Sequence, residues 1–169
     1  MSDAKEGPVR DRSGRISLSL EDELVGAWSL VSYTLTDEGG GVAHPLGEGA
    51  HGLLLFSPDG YVSTQIGGGA QASGTEDGAA GGRDLAYAGR WAVDGERLTY
   101  RLDVSVLPAG HDVPTEHGVE LHGDALTLSA GDVVVGDRTS TAHLVWRRAA
   151  AQDADGTADG GTGAAGGES

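Results

Sequence analysis

The chain has 169 residues, 38% of them hydrophobic, with 30 glycines, no cysteine and a formal net charge of −15. The length suits one ordinary domain, and the low apolar fraction implies that part of the chain lies outside the core. The acidity argues against nucleic acid and anionic membranes as partners, since both need basic patches. Without cysteine there are no disulfides, thiol catalysis or cysteine–zinc sites, which fits a reducing, cytoplasmic setting.

Residues 1–18 mix charge, Gly and Pro without periodicity and read as a disordered leader. Met1 to Arg15 lacks the apolar core of a secretory signal, and no apolar run reaches the roughly 18 residues of a membrane span. Ser19-Leu20-Glu21-Asp22 has the make-up to cap a single helical turn. Alternating apolar patterns then predict strands near 26–36, 51–57, 61–66, 87–94, 97–106, 116–122, 125–130 and 139–148, with a short extended piece at 42–45. Turn chemistry separates them at Asp37-Glu38-Gly39, Pro58-Asp59-Gly60, Asp94-Gly95 and Gly123-Asp124. The glycine-rich segment 67–84 reads as a mobile lid at a barrel mouth. Residues 149–169 carry no large apolar side chain and read as a disordered acidic tail. The folded domain is therefore expected over 19–148.

Two hairpins allow a register test. A two-residue turn at Asp94-Gly95 sets Trp91 opposite Leu98, Gly89 opposite Tyr100 and Tyr87 opposite Leu102. A two-residue turn at Gly123-Asp124 sets Leu121 opposite Leu126 and Val119 opposite Leu128. In both, apolar face meets apolar face, as pairing requires. The inner face then holds Tyr87, Trp91, Leu98, Tyr100, Leu102, Val104, His117, Val119, Leu121, Leu126 and Leu128. Arg90, Arg97, Arg101, Asp103, Glu116, Glu120 and Thr127 fall outside. The Pro58 hairpin admits two registers: a four-residue loop pairs Phe56 with Tyr61, and a three-residue loop pairs Ser57 with Tyr61. The expected fold is all-β, an eight-stranded up-and-down antiparallel barrel, an architecture that is filled by side chains or holds one small ligand.

The run Leu24-Val-Gly-Ala-Trp-Ser-Leu-Val-Ser-Tyr33 resembles the opening of the lipocalin-like domain family of bacteria and fungi. His44-Pro-Leu-Gly47, Gly52-Leu-Leu with Ser57-Pro-Asp-Gly-Tyr61, Tyr87-Ala-Gly-Arg-Trp91, Leu98 to Val106 with Leu107-Pro108, and Leu144-Val-Trp-Arg-Arg148 fit the same pattern in order over about 23–148. The resemblance implies a calycin-type barrel with a cavity. It also implies that Arg147 or Arg148 lies across Trp28 and closes one end. Some lipocalin-like barrels of natural-product pathways act as cyclases or isomerases. The segment 67–84 is poorer in bulky residues than its family counterparts, which blurs any lid chemistry.

Inward-facing polar side chains are the candidates for function. His117 can serve as a pocket acid/base or hydrogen-bond donor, against the plainer reading of a hydrogen-bonded rim histidine. Tyr87 and Tyr100 need partners for their hydroxyls, either a ligand or the backbone. Trp91 shares their face, and Tyr61 and Gln65 join the set if the Pro58 register turns them inward. The ligand-binding set is thus Tyr87, Trp91, Tyr100, His117, Tyr61 and Gln65, with Tyr100 and His117 as catalytic candidates. His44, His51 and His111 match no metal-ligand spacing, so no metal is expected, and His122 and His143 are expected outside. Hydrolase, phosphate-loop and metalloprotease motifs are missing from the sequence. The function expected is intracellular, cofactor-free binding of a small apolar or amphipathic molecule, with a cofactor-independent cyclase or isomerase acting on a polyketide-like substrate as the alternative. A filled barrel serving protein interaction is a third reading.

Overall fold

Strand alternation sets the architecture, and β4 shows it most plainly: Val62, Thr64 and Ile66 are buried while Tyr61 and Gln65 are exposed. The computed structural model describes residues 18–69, 84–108, 111–135 and 137–150. It contains a short helix α1 (Leu20–Leu24) and the strands β1 (Gly26–Asp37), β2 (Val42–Ala43), β3 (His51–Phe56), β4 (Tyr61–Gly67), β5 (Leu85–Asp94), β6 (Arg97–Val106), β7 (Glu116–His122), β8 (Ala125–Val135) and β9 (Arg138–Arg148). Every pairing is antiparallel, neighbours follow chain order from β3 to β9, and β1 joins β3 to β9. Eight strands thus close a barrel, and the two-residue β2 pairs onto the far end of β1. The expected leader up to residue 17, residues 70–83 of the expected lid, and the tail from 151 lie outside the described residues.

Local chemistry accounts for the ends of several elements. Ser19 caps α1, its hydroxyl accepting the Asp22 N–H at 3.2 Å. The Gly123–Asp124 turn pairs Leu121 with Leu126 and Val119 with Leu128, as the sequence predicts. The Pro58 hairpin takes the three-residue loop: Phe56 pairs with Val62, and the Ser57 N–H donates to the Tyr61 carbonyl at 2.9 Å. Gly60 closes that loop at φ +91°, a conformation that suits glycine.

The structure corrects the sequence-based register twice. The β5–β6 turn is Gly95–Glu96, not Asp94–Gly95, so Asp94 pairs with Arg97, Val93 with Leu98, and Trp91 with Tyr100. Gly95 supplies the positive φ, +61°, at the first loop position. A slip of two residues leaves every side chain on its expected face, so the inner set survives this change. The second correction is a β-bulge. Ala88 pairs with Val104 and Gly89 with Leu102, leaving Asp103 as the extra residue on β6. One extra residue reverses the alternation, so Val104 is not inside as expected: it and Val106 are 60% and 67% exposed. Gly89 is needed here, because a Cβ at that position would collide with the Arg101 carbonyl oxygen.

Antiparallel order gathers α1 and the turns at 58–60, 95–96 and 123–124 at one end of the barrel. That end is shut by Arg148, not Arg147. Its guanidinium lies 4.2 Å from the centre of the Trp28 ring and donates to the carbonyls of Glu23 at 2.6 Å and Val25 at 3.3 Å. Trp28 itself is fully buried and donates its indole N–H to the Leu24 carbonyl at 2.9 Å. Leu24, Leu54, Leu98, Leu126 and Trp146 continue this core up the barrel, and Leu46, from the loop after β2, is buried with it.

Candidate functional site

Five strands, β3 to β7, converge aromatic and polar side chains on the barrel interior, Thr64 being the contribution of β4. Phe56 comes from the end of β3, Tyr87 and Trp91 from β5, Tyr100 from β6 and His117 from β7. The rings form a chain: Trp91 to Phe56 at 4.9 Å, Phe56 to Tyr100 at 6.5 Å, Tyr100 to Tyr87 at 5.9 Å and Tyr100 to His117 at 4.9 Å, all tilted. Such tilted pairs suit the quadrupole of aromatic rings. Register explains the grouping. Trp91 is directly opposite Tyr100, Leu98 is opposite His117, and Thr64 is opposite Tyr87. Every member is buried, His117 to 3% exposure and Thr64 to none.

The hydrogen bonding of this cluster is incomplete. Trp91 donates its indole N–H to the Ser57 carbonyl at 3.3 Å. By contrast, Tyr100 Oη, His117 Nδ1, Thr64 Oγ1 and Trp146 Nε1 are buried and find no partner among the described residues. A buried polar group left unpaired costs about 1–3 kcal/mol, so most buried polar groups in proteins are paired. Thr64 lies near enough to the Tyr87 hydroxyl to lower its pKa as a hydrogen-bonding neighbour, although Thr64 Oγ1 meets no partner in full hydrogen-bonding geometry.

Burial also fixes the charge state. Desolvation pushes the Tyr87 hydroxyl up to about 12 and Tyr100 well above the ordinary tyrosine value of 10.0, with a smaller rise at Tyr87 from Tyr33 and at Tyr100 from Tyr87. Desolvation lowers His117 from 6.5 to about 4. Near pH 7 the cluster is therefore uncharged: two phenols that donate, a hydroxyl that does both, and a neutral imidazole with one donor and one acceptor nitrogen.

Of the six sequence-predicted ligand residues, Tyr87, Trp91, Tyr100 and His117 come together inside. Tyr61 and Gln65 do not. The three-residue Pro58 loop aligns them with Ser57, Leu55 and Leu53 on the outer face. There Tyr61 accepts a hydrogen bond from the Arg90 guanidinium at 2.7 Å, and that group also lies 4.1 Å from the Tyr61 ring centre. Gln65 donates to the Ser63 hydroxyl at 3.3 Å and borders an open outer cleft of about 660 Å3. Sequence reasoning missed Thr64 and Trp146. Thr64 was detectable as the polar residue between Val62 and Ile66 once the hairpin register was fixed. Trp146 stood in a run with Leu144, where its indole N–H gave no signal. His44 approaches Glu48 at 3.6 Å on the surface, and among the described residues no three His, Asp or Glu side chains gather as a metal site. No described helix is long and apolar enough to cross a membrane.

The profile of the lipocalin-like domain family matches residues 25–149, which spans the whole barrel from β1 to β9. No curated protein matches the chain in sequence. Among solved structures the chain is similar to the fluorescent protein UnaG, at 15% identity and a TM-score of 0.37, over 77% of this chain and 100% of that one. A single-substitution mutant of UnaG gives 16% identity and a TM-score of 0.36 over 76% and 98%.

Proposed function

Because the chain belongs to the lipocalin-like domain family, we propose that it binds a small, uncharged, mostly apolar molecule inside its barrel. The observation that carries this reading is the set of unpaired polar atoms, Tyr100 Oη, His117 Nδ1 and Thr64 Oγ1, buried among aromatic rings. A ligand with a carbonyl or hydroxyl takes those hydrogen bonds, while its apolar body packs on Phe56, Tyr87 and Trp91. A charged head would lose its hydration with no counter-charge to meet it there, so the ligand is neutral. An amphipathic ligand fits only if its polar end is uncharged. The cysteine-free sequence suits a reducing, intracellular setting.

A second reading makes Tyr100 and His117 catalytic, since their rings lie 4.9 Å apart in a site without competing acids. Tyr100 would polarise a carbonyl and His117 would move a proton, as in a cofactor-independent isomerisation or cyclisation. The burial of His117 favours binding. A general base works best with a pKa near the working pH, and His117 at about 4 is a weak base.

The test uses a panel of neutral polycyclic ketones and alcohols with the full chain. Tryptophan emission reports binding through Trp91, and product analysis reports turnover. Under the binding reading Tyr100→Phe weakens affinity by about 0.5–1.5 kcal/mol and no product forms. Under catalysis His117→Ala lowers turnover about a hundredfold with the fold intact. Binding that is unchanged in Tyr100→Phe, His117→Phe and Thr64→Val together would remove the interior cluster from the site.

A further inference from the structure

Pairing across five strands lays two outward-facing rows side by side. One runs Ser29, Leu53, Gln65, Ala86, Val106; the next runs Ala27, Leu55, Ser63, Ala88, Val104. The rows hold small and apolar side chains where an outer face ordinarily holds charge. Leu53 and Leu55 are 39% and 40% exposed, and the Asp103 bulge adds both valines to the same surface.

The first row borders the outer cleft of about 660 Å3, within the size range of small-molecule sites. His51, Gly67 and Asp84 complete its border at the barrel end opposite α1. At Gly67 the His51 ring lies close over the backbone: a Cβ there would come within 2.9 Å of it. Among the described residues that line the cleft, Asp84 is the one carboxylate and none is a lysine or arginine. Its Oδ1 accepts the Gly68 N–H at 3.2 Å. A carboxylate has lone pairs left for a further donor.

We propose that this cleft is a second site, separate from the barrel interior, and that it binds an amphipathic cation. An alkyl or aromatic body lies on Leu53, Ala86 and Val106, and an ammonium group meets Asp84. The formal charge of −15 raises the local concentration of such cations and disfavours amphipathic anions.

Calorimetry on the full chain tests this with dodecylammonium below its micellar concentration, against dodecyl sulfate and dodecyl maltoside. One equivalent of the cation is expected to bind, more tightly than either comparison compound. Asp84→Asn retains an acceptor for Gly68 and removes the charge; it should weaken the cation about threefold to fivefold. Leu53→Gln, at an exposed position, should weaken it about tenfold. Tyr100→Phe and His117→Phe should leave it unchanged, which separates this site from the interior one. Equal binding of dodecyl sulfate, indifference to Asp84→Asn, or loss on Tyr100→Phe would each overturn the proposal. So would uptake of many equivalents insensitive to every variant. A dimer in light scattering that Leu53→Gln dissociates would give the face to a second copy and overturn it as well.

Discussion

Leu53 and Leu54 are consecutive leucines of β3 with opposite fates. Leu54 is fully buried against the closed end of the barrel, whereas Leu53 keeps 39% of its surface on the outer cleft. The same contrast runs between the interior and the outer face of β3 to β6. The interior cluster is aromatic, buried and uncharged near neutral pH, yet it holds polar atoms with no partner among the described residues. The outer face is apolar, with Asp84 the one carboxylate among the described residues at its edge. Polar groups without partners and apolar groups without cover are both departures from a structure optimised for stability alone. In the two proposals each region offers a chemistry the other lacks: hydrogen bonding inside, hydrophobic contact and a negative charge outside.

The contrast is broken most severely at the two leucines. Leu54→Ala should cost about 2–5 kcal/mol, because it opens a cavity in packed core, whereas Leu53→Ala should stay within about 1 kcal/mol. Urea unfolding of the two single variants gives the difference, and equal costs would mean the outer face is packed in solution.

Acidification probes the interior next. His117 is held neutral with its pKa lowered from 6.5 to about 4. Between those values the unfolded chain binds the proton more readily than the folded one, so stability is full above pH 6.5 and falls as the pH drops towards 4. The loss amounts to roughly 3 kcal/mol from this group. His117→Phe should flatten that part of the stability profile, which chemical unfolding at a series of pH values measures. The buried tyrosines act at the other extreme. With Tyr87 raised to about 12, the unfolded chain releases its proton first, and stability falls as pH rises beyond 10.

At the closed end, Arg148→Met keeps the stem over Trp28 but removes the donors to the Glu23 and Val25 carbonyls. The expected loss is about 1–2 kcal/mol, because the guanidinium is part-exposed and hydrogen bonds to charged groups are stronger than neutral ones. Hydrogen exchange should quicken in α1 and leave β6 unchanged; uniform quickening would show that the clamp stabilises the whole barrel.

The smallest effect distinguishes function from packing most sharply. Tyr100→Phe removes a buried hydroxyl that has no partner among the described residues, so the ligand-free protein should be unchanged or more stable by up to about 1 kcal/mol. A variant that is more stable but binds its ligand less well is the signature of a polar group kept for recognition. A clear loss of stability would instead show that the hydroxyl is satisfied within the protein.

Much of this was legible in the residues. Alternation in β4, β5, β7 and β8, with turn residues at Gly60, Gly95 and Gly123, determined the strands and which side chains share a face, because neighbouring residues on a strand must point opposite ways. That logic alone places Tyr87, Trp91, Tyr100 and His117 on one face. The slip of the Gly95 turn did no harm, since moving a strand by two residues preserves its faces. Only the tertiary structure decided the rest. The extra residue at Asp103 arises where β6 must bend against Gly89, and it turns Val104 and Val106 outward. The Pro58 loop had two permissible lengths, and pairing with both β3 and β5 selected the one that puts Tyr61 and Gln65 outside. Arg148 reaches Trp28 only because β9 returns to close the barrel on β1. Local sequence specifies direction and face residue by residue, but bulges, closure and the missing partners of Thr64 and Trp146 depend on strands distant in the chain and become fixed when the barrel packs.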